Sequence, residues 1–145
     1  MQSPICTMLG IEFPLLAFSH CRDVIVAVSK AGGMGVFGAA ALPPERLEEE
    51  LAWIDAHICG KPYGVDLIVP NSFAGKGDAP VAGAEKVPGS HLKFAADLLG
   101  KFDVDAAGLE EAMEMRQSFG DNMHEDGAAK LLEVAFRHPI ALIAN

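Results

Sequence analysis

The stretch Ala27–Ala39, AVSKAGGMGVFGA, constrains the chain more than any other. A helical pattern runs into Gly32 and Gly33, and the apolar run Met34–Phe37 follows at once. Paired glycines stop a helix, because a residue without a Cβ adopts the left-handed C-cap conformation without a clash. A helix passing so abruptly into a strand fits a βαβ connection if another strand precedes it. Pro14–Phe18, PLLAF, supplies that strand. It is short, apolar and lacks alternation, the pattern of a strand buried on both faces of a parallel sheet. The same stretch spells G-x-G-x-x-G at Gly33, Gly35 and Gly38. A dinucleotide fingerprint needs a strand before it and a helix starting inside it. Here the order is reversed, so these glycines read as a helix stop and a close-packed strand start, not as a phosphate cradle.

The alternation continues downstream. Ser19 or Asp23 can cap the first helix, with Val24, Ala27, Val28 and Ala31 at helical spacing. Leu42-Pro43-Pro44 opens a second helix, since proline is tolerated in a first turn. Glu45, Glu48, Glu49 and Glu50 crowd its N-terminal half, where the helix dipole favours negative charge. Leu47, Leu51, Ile54 and Ile58 form its buried stripe, and Gly60 and Pro62 end it. Tyr63–Val69 is a third strand with Asp66 in its middle. Residues 70–88, rich in Gly, Pro and Ala, read as a loop-like excursion. Residues 89–137 read as helical, in three pieces: Ser90–Phe102, Leu109–Phe119 and Gly127–Arg137, the last carrying Leu131, Leu132, Val134, Ala135 and Phe136. Pro139–Ala144 is a fourth apolar strand. The fold class is therefore α/β, with about four parallel strands joined by right-handed helical crossovers. Half of a (β/α)8 barrel or a small open sheet would both read this way. In either, ligand chemistry belongs at the carboxyl ends of the strands.

Size and charge exclude several functions. A chain of 145 residues, half of them apolar, can build one domain with a real core. A net charge of -9 would repel the phosphates of a nucleic acid. The longest apolar runs fall short of a membrane span, and the first ten residues lack the basic and apolar regions of a secretory signal. Three cysteines, Cys6, Cys21 and Cys59, show no CxxC spacing; they read as reduced, buried small hydrophobes in a cytoplasmic protein.

Asp66 stands out among the candidate site residues. A carboxylate in an apolar strand is costly unless paired, so Asp66 either meets a ligand at the sheet mouth or bonds a neighbouring backbone group. His20 and Ser19 sit just past the first strand, on the same rim. Asp103, Asp105, Gly108 and Glu114 match most of a calcium loop, but Ala107 lacks an oxygen ligand and Glu110 takes the place of an apolar packing residue, so a solvated helix start is the better reading. His20-Cys21 and His57 with Cys59 belong to different βα units, and no metal site is expected from them.

With these residues in hand, the chain resembles the nitronate monooxygenases, formerly called 2-nitropropane dioxygenases. The resemblance rests on ICTMLGIEFPLLA from Ile5, AVSKAGGMGVFGA, KPYGVDL from Lys61, and RHPIALIAN from Arg137. It is firmest from Ile5 to Asn71. It implies the N-terminal half of a TIM barrel, with residues 1–145 as a partial flavin-binding domain that holds FMN without a covalent bond. The implied chemistry is oxidation of alkyl nitronates by O2. By the same resemblance Ala17, Phe18 and Ser19 approach the flavin ring, mostly through backbone groups. Asp66 stands where many members carry an Asn that contacts the flavin, and an ionised carboxylate accepts hydrogen bonds but cannot donate them. Asn145 would lie near the flavin at the end of the fourth strand. The family's catalytic His and phosphate-binding loops belong to the other barrel half. A 145-residue chain is then expected to be inactive alone and to partner with the missing half or with itself. The alternatives are a small non-enzymatic α/β binding module and an enoyl-reductase-type flavin barrel.

Overall fold

In the computed structural model, residues 3–69, 88–106 and 108–145 are described. Four strands, β1 (Leu16–Ser19), β2 (Met34–Gly38), β3 (Tyr63–Asp66) and β4 (Leu142–Ala144), form one sheet in that order, and every pairing is parallel. The helices are α1 (Pro4–Leu9), α2 (Arg22–Lys30), α3 (Pro44–His57), α4 (Gly89–Lys101), α5 (Gly108–Asn122) and α6 (Glu125–Ala135). The order β1-α2-β2-α3-β3, with three helices before β4, is the make-up of half a (β/α)8 barrel. The excursion expected over residues 70–88 lies outside the described residues except for Pro88.

Paired residues of parallel strands share a face, so the register divides the sheet cleanly. Phe37, Tyr63, Val65 and Leu67 point to the helix side. There they pack with Ile25 of α2, Leu47, Leu51 and Ile54 of α3, Ile58 just beyond it, and Leu131, Val134 and Ala135 of α6. The expected stripe of α3 is fully realised, with Leu47, Leu51, Ile54 and Ile58 all buried. Phe18, Val36, Gly64 and Leu142 form a row on the opposite face, the inner face of a barrel. Among the described residues no helix layer covers that face, and the short α1 and Ile11 close its N-terminal end, through Cys6, Ile11 and Met34 packed with Leu9 and Leu142.

The glycines of the opening stretch have separate jobs. Ala31, not a glycine, is the C-cap of α2, and Gly32 takes the left-handed φ of +99° after it. The Gly32 carbonyl accepts the backbone N–H groups of Glu12 and Phe13 at 2.8 and 3.1 Å, fastening the N-terminal segment to the turn. At Gly35 an added Cβ would stand 2.6 Å from Ile25 Cα and from its carbonyl oxygen. This glycine lets α2 lie against β2, and the Gly35 N–H donates to Ser29 Oγ at 3.0 Å.

Several expectations are corrected. β1 is not buried on both faces: Leu16 and Phe18 are 41% and 56% exposed, because among the described residues no element covers the inner face at this edge. The buried face of α2 is Ile25, Val26 and Ser29, whereas Val24, Ala27 and Ala31 are exposed. Cys21 is its N-cap; Asp23 lies in its first turn. The third strand ends at Asp66, which is therefore terminal and not central. Phe136 follows α6 as an exposed side chain. Of the cysteines only Cys6 is buried; Cys21 and Cys59 are exposed. The short helix α1, with Pro4 at its start and Gly10 as a left-handed C-cap, adds an element that the strand-and-helix rhythm does not reveal.

Candidate functional site

The carboxyl ends of β1, β2, β3 and β4 define one rim. Ser19 pairs with Phe37, Gly38 with Asp66, and Asp66 with Ala144. Gly38, Asp66 and Ala144 thus occupy one row on the inner face. His20, one residue past β1, joins this row through its ring. Its Nδ1 lies 2.9 Å from the Gly38 carbonyl oxygen. The Phe18 and His20 rings meet edge to face, with centroids 5.0 Å apart and planes at 82°. Space for both rings comes from Gly38, where a Cβ would lie 2.6 Å from Phe18 Cζ and 2.7 Å from His20 Cε1.

The residues singled out from the sequence distribute unevenly on this rim. Phe18 and Asp66 share the inner face, Phe18 largely exposed and Asp66 partly buried. Ala17 pairs with Gly35 and Ser19 with Phe37, so both side chains turn to the helix side. Only their backbone groups are available to the inner face. The Ser19 hydroxyl accepts the Cys21 N–H at 3.0 Å, which shapes the step into α2. Asn145 follows β4 and grips the backbone beyond β3: its Oδ1 accepts from Val69 N at 2.7 Å and its Nδ2 donates to Val69 O at 3.3 Å. The two His and Cys pairs, from which no metal site is expected, lie apart, because His20-Cys21 follow a strand and His57 and Cys59 precede one, at opposite ends of a parallel sheet. His57 instead stacks on Trp53, with ring centroids 3.9 Å apart. Among the described residues no three His, Cys, Asp or Glu side chains gather where they could hold a metal ion.

Two polar arrangements that support the scaffold escape sequence reasoning. Asn122, at the end of α5 and buried, donates through Nδ2 to the carbonyls of Ala40 and Leu42, each at 2.9 Å. This ties α5 to the loop that leaves the rim after β2. At the opposite end of the sheet the Tyr63 hydroxyl donates to Asp55 Oδ1 at 2.7 Å, and His138 Nδ1 donates to Asp55 Oδ2 at 2.6 Å. Burial, first of all, pushes the Tyr63 phenol well above its ordinary ionisation range, and the hydrogen bond and charge of Asp55 push it further. An isolated Asn or His in a loop-rich stretch gives no signal of such partners. An open groove of about 480 Å³ between α3 and α6 is walled by Glu45, Glu48, Lys130, Glu133 and Arg137. It lies on the helix side, and Arg137 already pairs there with Glu48 and Glu133.

The architecture therefore defines a parallel α/β unit of half-barrel type, with its open rim at the strand carboxyl ends. Comparison with known proteins places it more closely. No protein-family model matches the chain. A protein of Mycobacterium tuberculosis named as a monooxygenase is 42% identical over the whole of this chain, which spans 39% of that protein's length. A Staphylococcus saprophyticus protein named as a nitronate monooxygenase is 29% identical over 49% of this chain and 21% of its own length. A Staphylococcus haemolyticus protein of the same name is 31% identical over 43% of this chain and 18% of its own. The chain thus spans less than half the length of these relatives. It is similar over its whole length to a monooxygenase-named protein and over about half its length to nitronate monooxygenase-named proteins, in line with the sequence resemblance. Among the described residues, no helix is long and apolar enough to cross a membrane.

Proposed function

We propose that this chain is the flavin-facing N-terminal half of an FMN-dependent nitronate monooxygenase-like oxidoreductase. The observation that carries the reading is the match over the whole chain to a monooxygenase-named protein, joined to an open rim on a parallel four-stranded sheet. The residues present fit the cofactor. Phe18 offers an apolar side chain, 56% exposed, on a face whose other end is closed by α1. A flat, largely apolar ring system is the kind of group that such a surface covers. Backbone groups of Ala17 and Ser19, with the Asp66 carboxylate, would complete the contacts from this half. Asn145 would act indirectly, by holding β4 to the residues after β3.

FMN would supply the electron transfer to O2 that no side chain here can perform. The chain's own residues would orient the ring and shield one side of it. The base that handles the nitronate, and the groups that hold the FMN phosphate, would belong to the other barrel half. The decisive experiment adds FMN to the purified chain, then follows flavin retention on desalting and oxygen uptake with an alkyl nitronate. Measurable flavin binding without turnover is expected. Failure to bind any flavin would sink the cofactor assignment, and robust turnover would show that the catalytic base lies within these residues.

A further inference from the structure

His20 lies on the rim, exposed, with one ring nitrogen already committed. A backbone carbonyl can only accept, so the 2.9 Å contact with the Gly38 oxygen requires the hydrogen on Nδ1. In the neutral ring Nε2 then carries the lone pair. Among the described residues Nε2 has no hydrogen-bond partner. The edge-to-face contact with Phe18 and the hydrogen bond to the Gly38 carbonyl together favour this ring orientation. The ring occupies this place because Gly38 lacks a Cβ, which would stand 2.7 Å from His20 Nδ1. The fold therefore directs the Nε2 acceptor of His20 beside an exposed aromatic surface, in the row that also carries Asp66.

We propose that His20 is a ligand-binding residue of the rim, whose Nε2 accepts a hydrogen bond from an N–H group on a flat heteroaromatic ring. Resting on the flavin reading above, that group is the imide N–H of the isoalloxazine. Phe18 contributes the apolar contact to the same ring, and Gly38 is the positioning residue that fixes the His20 tautomer. The role is that of an acceptor; no proton is transferred.

The test has two arms. Nitrogen NMR of the ¹⁵N-histidine-labelled chain, at a pH where the ring is neutral, reads the His20 tautomer directly, with His20→Phe identifying its signals. The Nδ1–H form is expected, and the Nε2–H form overturns the proposal. In the second arm lumiflavin and N3-methyl-lumiflavin are titrated by fluorescence into the unaltered chain. Loss of one hydrogen bond should weaken the methylated compound by about tenfold. Equal affinities overturn the His20 assignment while leaving the flavin reading intact. Absence of binding by either compound overturns both together. With His20→Phe, which keeps an aromatic ring against Phe18, the two compounds should bind alike. Gly38→Ala should mix the tautomers and reduce the tenfold preference. Should either variant fail to fold, the comparison on the unaltered chain still decides.

Discussion

Gly35 of β2 and Ile25 of α2 approach so closely that a Cβ on the glycine would sit 2.6 Å from the isoleucine Cα. Backbone meets backbone here, so no side chain can rotate away to relieve the overlap. Gly35→Ala should force α2 off the sheet and cost about 3 kcal/mol, at the upper end for overpacking. Gly100→Ala is the matched control. Gly100 lies in the last turn of α4 with nothing within 4 Å of an added Cβ, and replacing a helical glycine there should gain up to about 0.5 kcal/mol. Urea denaturation of the two variants should therefore move the midpoint in opposite directions. Equal midpoints would contradict the packing role.

Tyr63 gives the chain an alkaline limit. Its phenol is pushed upward, chiefly by burial and then by Asp55, while in the unfolded chain it ionises at about pH 10. A group whose folded pKa is raised contributes its full stability below the unfolded pKa and loses it as pH rises. Stability should thus fall above about pH 10, by up to about 1.4 kcal/mol per pH unit from this residue. Tyr63 is the only tyrosine, so tyrosinate absorbance reports on it alone. The absorbance should rise only with unfolding, and Tyr63→Phe should flatten the alkaline slope at a cost of about 1 kcal/mol near neutrality.

The elements read correctly from the sequence are those whose signal is local. The α3 stripe of Leu47, Leu51, Ile54 and Ile58 follows directly from helical spacing, and the glycines after α2 mark the helix-to-strand passage. What misleads is anything set by a distant partner. PLLAF looks like a doubly buried strand because its apolar content is right, yet Leu16 and Phe18 face an inner surface that no helix layer covers among the described residues. In α2 the polar Ser29 hides the true buried face, since its place there depends on the Gly35 N–H six residues on. The rim positions of Asp66 and Asn145 follow from strand order. The His20–Gly38 contact and the Asn122 clamp depend on register across 18 and about 80 residues, and no spacing rule reports that.

Asp55 joins two elements that are far apart in sequence by accepting from both Tyr63 and His138. Asp55→Ala would leave two polar groups without their acceptor, one on a fully buried tyrosine and one on a histidine side chain 7% exposed. A loss of about 3 kcal/mol is expected. A double-mutant cycle with Tyr63→Phe should return a coupling of about 1 kcal/mol or more, and additivity would show that the short hydrogen bond contributes little.

The cysteines offer a test of the architecture that needs no ligand. Cys21 and Cys59 are exposed, whereas Cys6 is packed with Ile11 and Met34 under α1. A thiol reagent should titrate two of the three thiols quickly in the native chain, and the third only after denaturation. Rapid labelling of Cys6→Ser to the same total would support this assignment, while three fast thiols in the unaltered chain would mean that α1 does not close the inner face.

Asp66 is the position where the flavin reading makes its sharpest demand. The side chain belongs to the inner row with Gly38 and Ala144, so a ring lying on Phe18 would meet its oxygens. An ionised carboxylate offers only acceptors, whereas a flavin presents mostly acceptors along its polar edge. Asp66→Asn keeps the shape and adds two N–H donors, and it removes a negative charge from the neighbourhood of an anionic cofactor. Both changes favour binding, so FMN affinity should rise severalfold, read by quenching of flavin fluorescence. The stability of the unliganded chain should change by under about 0.5 kcal/mol, because Asp66 is at a strand end and its side chain has no hydrogen-bond partner among the described residues. An unchanged or weakened affinity would place the flavin's polar edge elsewhere on the rim.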